Sequence, residues 1–194
     1  SILSFNGNKI ITTSGGGALV CNTLEQKNKA IYLSTQAREN APHYQHSEIG
    51  YNYRMSNVSA GIGRGQMEVL DKRVEARRNN HFFYVKLFEE IEGVTVFSEP
   101  NEDFYSNHWL SAITVDESIT GWSNHDLRLQ FRNEKIESRP LWKPMHLQPV
   151  FENCIYYGNS VAEDLFNKGL CLPSGSNLTE EQKNRIKEVV LKMK

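Results

Sequence analysis

Ser4-Phe5-Asn6-Gly7-Asn8-Lys9-Ile10-Ile11-Thr12-Thr13-Ser14-Gly15-Gly16-Gly17 is the stretch that decides the reading of this chain. Asn6, Gly7 and Asn8 favour turns, because Asn hydrogen-bonds its own backbone and Gly tolerates any backbone conformation. Ile10-Ile11-Thr12-Thr13 is β-branched throughout and favours an extended course. A triple glycine and then Ala18-Leu19-Val20 follow, and the last three read as a buried strand. The pattern presents one lysine, Lys9, on a short loop between two sheet elements. A lysine held this way, partly desolvated or beside another cation, can lose its proton and attack a carbonyl as a free amine. The competing reading is an ordinary solvated lysine.

Bulk properties exclude several classes. A chain of 194 residues can bury a sizeable core in one or two domains. The formal net charge of −1 asks for neither nucleic acid nor a membrane surface as partner. No apolar run approaches the ~18 residues of a spanning helix, and the opening residues do not read as a secretion signal. Cys21, Cys154 and Cys171 are far apart, with no Cys-x-x-Cys, and read as reduced thiols of a cytoplasmic protein. In that setting the sequons at Asn57 and Asn177 read as chance.

Along the chain, Thr23 to about Arg38 has helical composition, with Thr23 and Gln26 spaced as a capping box. The loop Pro42–Met55 is rich in His, Tyr, Asn and Arg, a composition common in functional loops. His43, His46 and Glu48 are too loosely spaced to make a convincing metal site. Gly61, Gly63 and Gly65 lack the preceding strand of a nucleotide loop and read as small residues of a closely packed helix. Met67, Leu70, Val74, Phe82, Val85 and Phe88 form the apolar stripe of a long helix ending near Gly93, with Lys72, Arg73, Glu75, Arg77 and Arg78 as its solvated face.

Beyond Gly93 short elements alternate. Strands are expected at 94–97, 109–115, near 136–139 and at 170–173, and helices at 124–131 and from Thr179 onward, the last capped by Gln182. Ile186, Val189, Val190 and Met193 give that final helix its apolar stripe. The whole reads as a small α+β domain. Arg139-Pro140-Leu141-Trp142-Lys143-Pro144-Met145-His146-Leu147-Gln148-Pro149 reads as an extended course. It is either a structural crossing or a segment whose Arg, Trp, Lys and His face a phosphate-bearing sugar.

Two segments carry a resemblance. Ser4-Phe5-x-x-x-Lys9 with its Thr-Thr-x-Gly-Gly-Gly tail, and Gly50-Tyr51-Asn52-Tyr53-Arg54-Met55-Ser56, resemble the DegT/DnrJ/EryC1/StrS family of pyridoxal-phosphate-dependent sugar aminotransferases. The resemblance implies an α/β chain of fold type I. Residues 1–92 would be the end of the large cofactor domain with its connecting helix, and 93–194 the small C-terminal α+β domain. It implies that Lys9 carries pyridoxal 5'-phosphate as a Schiff base and that Ser4 contacts the phosphate. Asn52 would reach the cofactor phosphate in the neighbouring subunit of a homodimer with shared sites. Arg54 would either serve an anionic substrate group or hold its loop, and His146, in a Pro-x-His segment, would line the sugar pocket. No metal is implied. A dehydratase branch carries histidine in place of the lysine, and Lys9 argues against it.

The implied substrates are a nucleotide-linked keto sugar and an amino-acid donor, by family habit glutamate. Ser34-Thr35-Gln36-Ala37-Arg38 with Ala41-Pro42-His43-Tyr44 looks most like the branch making 4-amino sugars from UDP-4-keto sugars, such as the bacillosamine precursor. The rivals are amination at C3, a GDP- or dTDP-linked sugar, or a non-catalytic structural module. Family members are about twice this length, and no Met precedes Ser1. The chain is therefore expected to be a C-terminal half. The N-terminal half would bring the acidic partner of the pyridine nitrogen, the ring-stacking residue and further phosphate donors.

Overall fold

Residues 1–194 are all described by the computed structural model, in two compact units, Ser1–Asp71 and Lys72–Lys194. The first opens with an antiparallel hairpin of β1 (Ile2–Ser4) and β2 (Gly17–Leu19), in the register Ile2↔Leu19 and Ser4↔Gly17. Gly17 permits this pairing, since a Cβ there would collide with the carbonyl oxygen of Leu3. The strand expected at 18–20 thus forms one residue earlier, and it is not buried: Leu19 and Val20 are both at least half exposed.

Helix α1 (Leu24–Ser34) is capped by Thr23, whose hydroxyl accepts from Gln26 N at 3.2 Å. The reciprocal half of the expected box moves by one residue, because Gln26 Oε1 accepts from Asn22 N rather than Thr23 N. The helix stops four residues short of Arg38. The Thr35 hydroxyl donates back to the Ile31 and Tyr32 carbonyls, and Gln36 and Ala37 turn left-handed with φ of 67° and 48°. Helix α2 (Asn57–Met67) follows Ser56 as N-cap and buries no residue. Of its three glycines only Gly63 is closely packed, against Thr13, so the close-packing expectation holds at one position alone.

Helix α3 (Leu70–Phe88) leads into the second unit. A four-stranded antiparallel sheet of order β3-β4-β6-β5 is built from β3 (Val94–Val96), β4 (Ser111–Val115), β5 (Arg139–Pro140) and β6 (Gly169–Leu172). Strand β5 is confined to two residues, and Pro140 has no N–H with which to extend a ladder. The remaining helices are α4 (Glu117–Thr120), α5 (Asn124–Asn133), α6 (Val161–Lys168) and α7 (Glu180–Leu191). The Thr179–Gln182 box forms in both directions, as its spacing requires. Ile113 and Val115 of β4 and Leu170 and Leu172 of β6 meet Tyr84 and Phe88 of α3, Leu127 and Phe131 of α5, and Ile186, Val189 and Val190 of α7. The extended course expected over 139–149 holds at Arg139–Pro140 and at Pro144, with φ −54° and ψ 145°, and is then broken by two short 3-10 turns, Met145–Leu147 and Pro149–Phe151.

The face of α3 differs from the expected stripe. Its buried positions are Asn80, His81, Tyr84 and Phe88, whereas Phe82 is 57% exposed. Polar residues can line this face because each finds a partner: Asn80 Nδ2 donates to the Gly175 carbonyl at 2.8 Å and Tyr84 O–H to the Pro173 carbonyl at 2.7 Å. Nor are the arginines merely solvated. Arg77 donates to the Trp109 carbonyl, and Arg78 donates to Glu99 at 2.7 Å and to the Ser106 carbonyl. Glu99 also faces His108 Nε2 at 3.1 Å, and the His108 ring stacks on His81 with centroids 3.6 Å apart. Arg78, with backbone N–H donors, holds the Glu99 carboxyl down at about 2. Burial, and then the neighbouring His108, push His81 down to about 4, and burial also lowers His108.

Two outcomes follow for stability. Phe131→Ala, which empties a fully buried ring site, is expected to cost about 3–5 kcal/mol in urea unfolding. The histidine pair makes stability pH-dependent. Below about 6.5 the unfolded chain takes up protons that native His81 refuses until about pH 4, so stability falls across that window, and Glu99, held down at about 2, continues the fall at lower pH. Removing His81 (His81→Gln) should reduce the 6.5-to-4 slope in unfolding measured at several pH values.

Candidate functional site

The hairpin loop carrying Lys9 is fastened at both ends. Phe5 N donates to the Gly16 carbonyl and Thr13 N to the Phe5 carbonyl, each at 3.0 Å. The Thr12 hydroxyl donates to the same Phe5 carbonyl, and Ile11 and Thr13 are buried beneath the loop. Lys9 sits at the end of a turn closed by its own N–H on the Asn6 carbonyl at 3.0 Å. Ser4, at the end of β1, accepts weakly from Asn6 N at 3.4 Å, so its hydroxyl proton remains able to donate. The expected presentation of one lysine between two strands is therefore what the chain builds.

Asn52 and Arg54 are placed by a second pairing. Tyr51 N donates to the Leu33 carbonyl at 2.7 Å, Gln36 N to the Tyr51 carbonyl and Tyr53 N to the Ser34 carbonyl, both at 3.0 Å. Residues 51–53 thus run antiparallel to 33–36, with Thr35 opposite Asn52. In an extended strand i and i+2 share a side, so Asn52 and Arg54 point one way. Tyr51 and Tyr53 point the other way and stack at 5.0 Å. Asn52 and Arg54 line an open cleft of about 570 Å³ with Thr35, Gln36, Arg38 and Glu39. Ser4 and Lys9 are not among its lining residues.

Gly50 makes this geometry possible, since a Cβ there would collide with the backbone of Gln36 and Ala37. Of the three loosely spaced groups His43, His46 and Glu48, His43 meets Gln45, His46 meets the Gln36 carbonyl and Glu48 pairs with Lys29. They serve the loop individually. In the second unit His146 Nε2 meets Glu163 Oε1 at 2.9 Å, and its ring stacks on Tyr156 at 3.8 Å. Glu163 lies on α6, a helix missing from the expected elements although Ser160 and Glu163 have capping-box spacing and Val161, Ala162, Leu165 and Phe166 recur at helical spacing. Tyr156 lies in the preceding loop and had no local signal. Arg38 is legible in the sequence only as the end of the Ser34–Arg38 segment that carries the resemblance, and Glu39 falls between the two segments.

This donor set suits a phosphate-bearing aldehyde cofactor: Lys9 is an amine able to condense with the aldehyde, and the Ser4 hydroxyl and Asn52 amide are neutral phosphate donors.

The chain belongs to the DegT/DnrJ/EryC1/StrS aminotransferase family, which it matches over residues 1–191. It is 51% identical over 194 residues to EpsN of Bacillus subtilis (strain 168), itself assigned provisionally as a pyridoxal phosphate-dependent aminotransferase; the match covers 98% of this chain and 49% of that protein. It is 32% identical over 182 residues to a GDP-perosamine synthase of Escherichia coli O157:H7, covering 94% of this chain and 48% of the other. Among solved structures it resembles the Helicobacter pylori aminotransferase PseC, with a TM-score of 0.88 at 21% identity over 100% of this chain and 52% of that one. The fold is that of pyridoxal-phosphate-dependent sugar aminotransferases, as the two sequence segments implied, and pyridoxal phosphate is the cofactor of this family. The chain spans about half the length of the curated relatives it matches.

Gly50→Ala is expected to destabilise the first unit by about 1–3 kcal/mol through forced displacement of residues 36–37. Thermal unfolding of the variant, with loss of the tyrosine-stack signal in near-ultraviolet circular dichroism, checks it.

Proposed function

We propose that this chain is part of an enzyme that transfers an amino group to a nucleotide-linked keto sugar. The reading rests above all on one observation: the family match covers residues 1–191 and includes a lysine on a fastened hairpin loop that begins where β1 ends at Ser4. Pyridoxal phosphate, when bound, supplies the electron sink for the bonds made and broken at carbon. Lys9 would hold it through Nζ, Ser4 through its hydroxyl, and Asn52 of the neighbouring protomer through its amide.

The protein's part is position and proton transfer. Lys9 Nζ, once released, takes the proton from the amino donor's Cα. In the second half of the cycle it delivers a proton to the sugar carbon that receives nitrogen. The fastened loop keeps Nζ within reach of both carbons, which is the main service a rigid scaffold gives an acid–base group. Arg54 presents a guanidinium to an anionic substrate group, and Glu163 fixes the ring of His146 for the sugar pocket.

The finer reading is a UDP-4-keto-6-deoxy-N-acetylhexosamine as acceptor and glutamate as donor, in the cytoplasm, by a homodimer with shared sites. It is supported by Thr35, Gln36, Arg38 and Ala41, from the segments that resemble the UDP-4-amino-sugar branch, lining the cleft beside Asn52. The relatives also include transaminases named for GDP- and dTDP-linked sugars. A C3 keto sugar or another nucleotide is the alternative this reading must beat.

Borohydride reduction of the full-length protein with pyridoxal phosphate should place the label on the peptide containing Lys9, and Lys9→Ala should abolish the near-visible band and turnover. A label on another lysine, or no band, would move the assignment to a non-catalytic module. Conversion of another keto sugar but not the UDP-4-keto substrate would remove the finer claim alone.

A further inference from the structure

Two constraints act on the ring of His146 in the second unit. It lies on the Tyr156 ring, with centroids 3.8 Å apart and planes at 21°, and its Nε2 meets Glu163 Oε1 at 2.9 Å. Stacking fixes the plane of a rigid ring and the carboxylate fixes its rotation within that plane, so Nδ1 is left with one direction. Both partners are themselves placed. The Tyr156 hydroxyl donates to the Asn159 carbonyl at 2.8 Å and lies over Gly158, where a Cβ would stand 2.8 Å from the phenol oxygen. Glu163 is in the first turn of α6, where a negative charge is favoured, and its one ion pair is with His146, while the adjacent Asp164 is taken up by Lys168.

The carboxylate also decides which nitrogen carries the proton. An ionised carboxylate only accepts, so Nε2 is the N–H that donates to Glu163. In the neutral ring Nδ1 is then a hydrogen-bond acceptor. No hydrogen bond within the chain uses Nδ1, and it is not sealed from solvent. A lone pair offered in this way suits a ligand hydroxyl or amide N–H. It does not suit the oxygens of a diphosphate, which have only lone pairs of their own.

We propose that Glu163 is a positioning residue for the sugar: by holding Nε2–H it presents Nδ1 of His146 as an acceptor for a hydroxyl or amide N–H of the sugar ring, and not as a cation for the diphosphate. Glu163 touches no substrate and acts through the imidazole alone. That the ligand is a sugar nucleotide rests on the aminotransferase reading above; the choice of tautomer does not.

The test uses the full-length protein at about pH 8, with nitrogen-labelled histidine for magnetic resonance. The His146 signals, assigned by their loss in His146→Ala, should show Nδ1 unprotonated and Nε2 protonated. In Glu163→Ala the two shifts should move toward each other. Glu163→Gln, whose amide oxygen still accepts, should keep the original pattern. By calorimetry Glu163→Ala should weaken UDP-N-acetylglucosamine about 10-fold and leave UDP unchanged. The double variant, Glu163→Ala with His146→Ala, should lose no more than His146→Ala alone, because Glu163 acts through that ring. A His146 protonated at Nδ1 overturns the proposal. So does equal weakening of UDP, which would make His146 a phosphate contact, and so do losses that add in the double variant. If Glu163→Ala fails to fold, the unmutated protein's shifts and the two ligands on His146→Ala decide. If the unmutated protein binds neither ligand, the UDP-sugar reading falls, while the shifts still decide whether Glu163 sets the tautomer.

Discussion

Residue 50 must carry no side chain, because residues 36 and 37 run where its Cβ would be. Much of the first unit depends on this close approach. It lets residues 51–53 pair along 33–36, and that pairing sets the alternation that sends Asn52 and Arg54 to one side and the stacked Tyr51 and Tyr53 to the other. It also confines Gln36 and Ala37 to left-handed backbone, which ends α1 and turns Arg38 into the cleft. One absent methyl group thus connects a helix terminus, a strand register and the lining of a binding site.

The second unit is organised by a different principle. Its sheet is short and gains rigidity from helices that bury β4 on one face and β6 on both. Beside that apolar core lies a polar one, in which Arg78 and Glu99 neutralise each other and hold two parallel imidazoles in place. Glu99 is partly buried and meets Arg78, the Ser106 backbone N–H and His108 together, so the arrangement stands as a set. It fixes the connection between β3 and β4, and chemistry is not needed to explain it. His146 is held by a related device on a smaller scale, with Glu163 along one edge of its ring and Tyr156 on one face.

Legibility in the sequence followed the range of the interaction. Elements specified by neighbours in sequence were readable: the turn that presents Lys9, the N-cap at Thr23, the reciprocal box at Thr179 and Gln182, and the alternation of β4. Errors arose where a distant partner decided. Arg77 and Arg78 look like a solvated helix face until Trp109, Glu99 and Ser106 come to meet them. Phe82 fits the helical stripe by hydrophobicity, yet the face that turns inward is the one on which Asn80 and His81 find hydrogen-bond partners. Proline fixes φ but leaves ψ to context: Pro144 stays extended, whereas Pro149 begins a 3-10 turn.

By itself the sequence determined the family, the lysine and its loop, the Asn-x-Arg strand and most of the regular elements, because each is written in spacings of a few residues. Tertiary structure alone decided that Asn52 and Arg54 share a cleft with Arg38, that Glu39 is engaged by Tyr32, and that His146 is held by Glu163. Those relations join residues up to 17 positions apart, and their geometry depends on where whole elements come to rest. Such placement is settled by packing and by hydrogen-bond satisfaction across the unit, neither of which any local window of sequence contains.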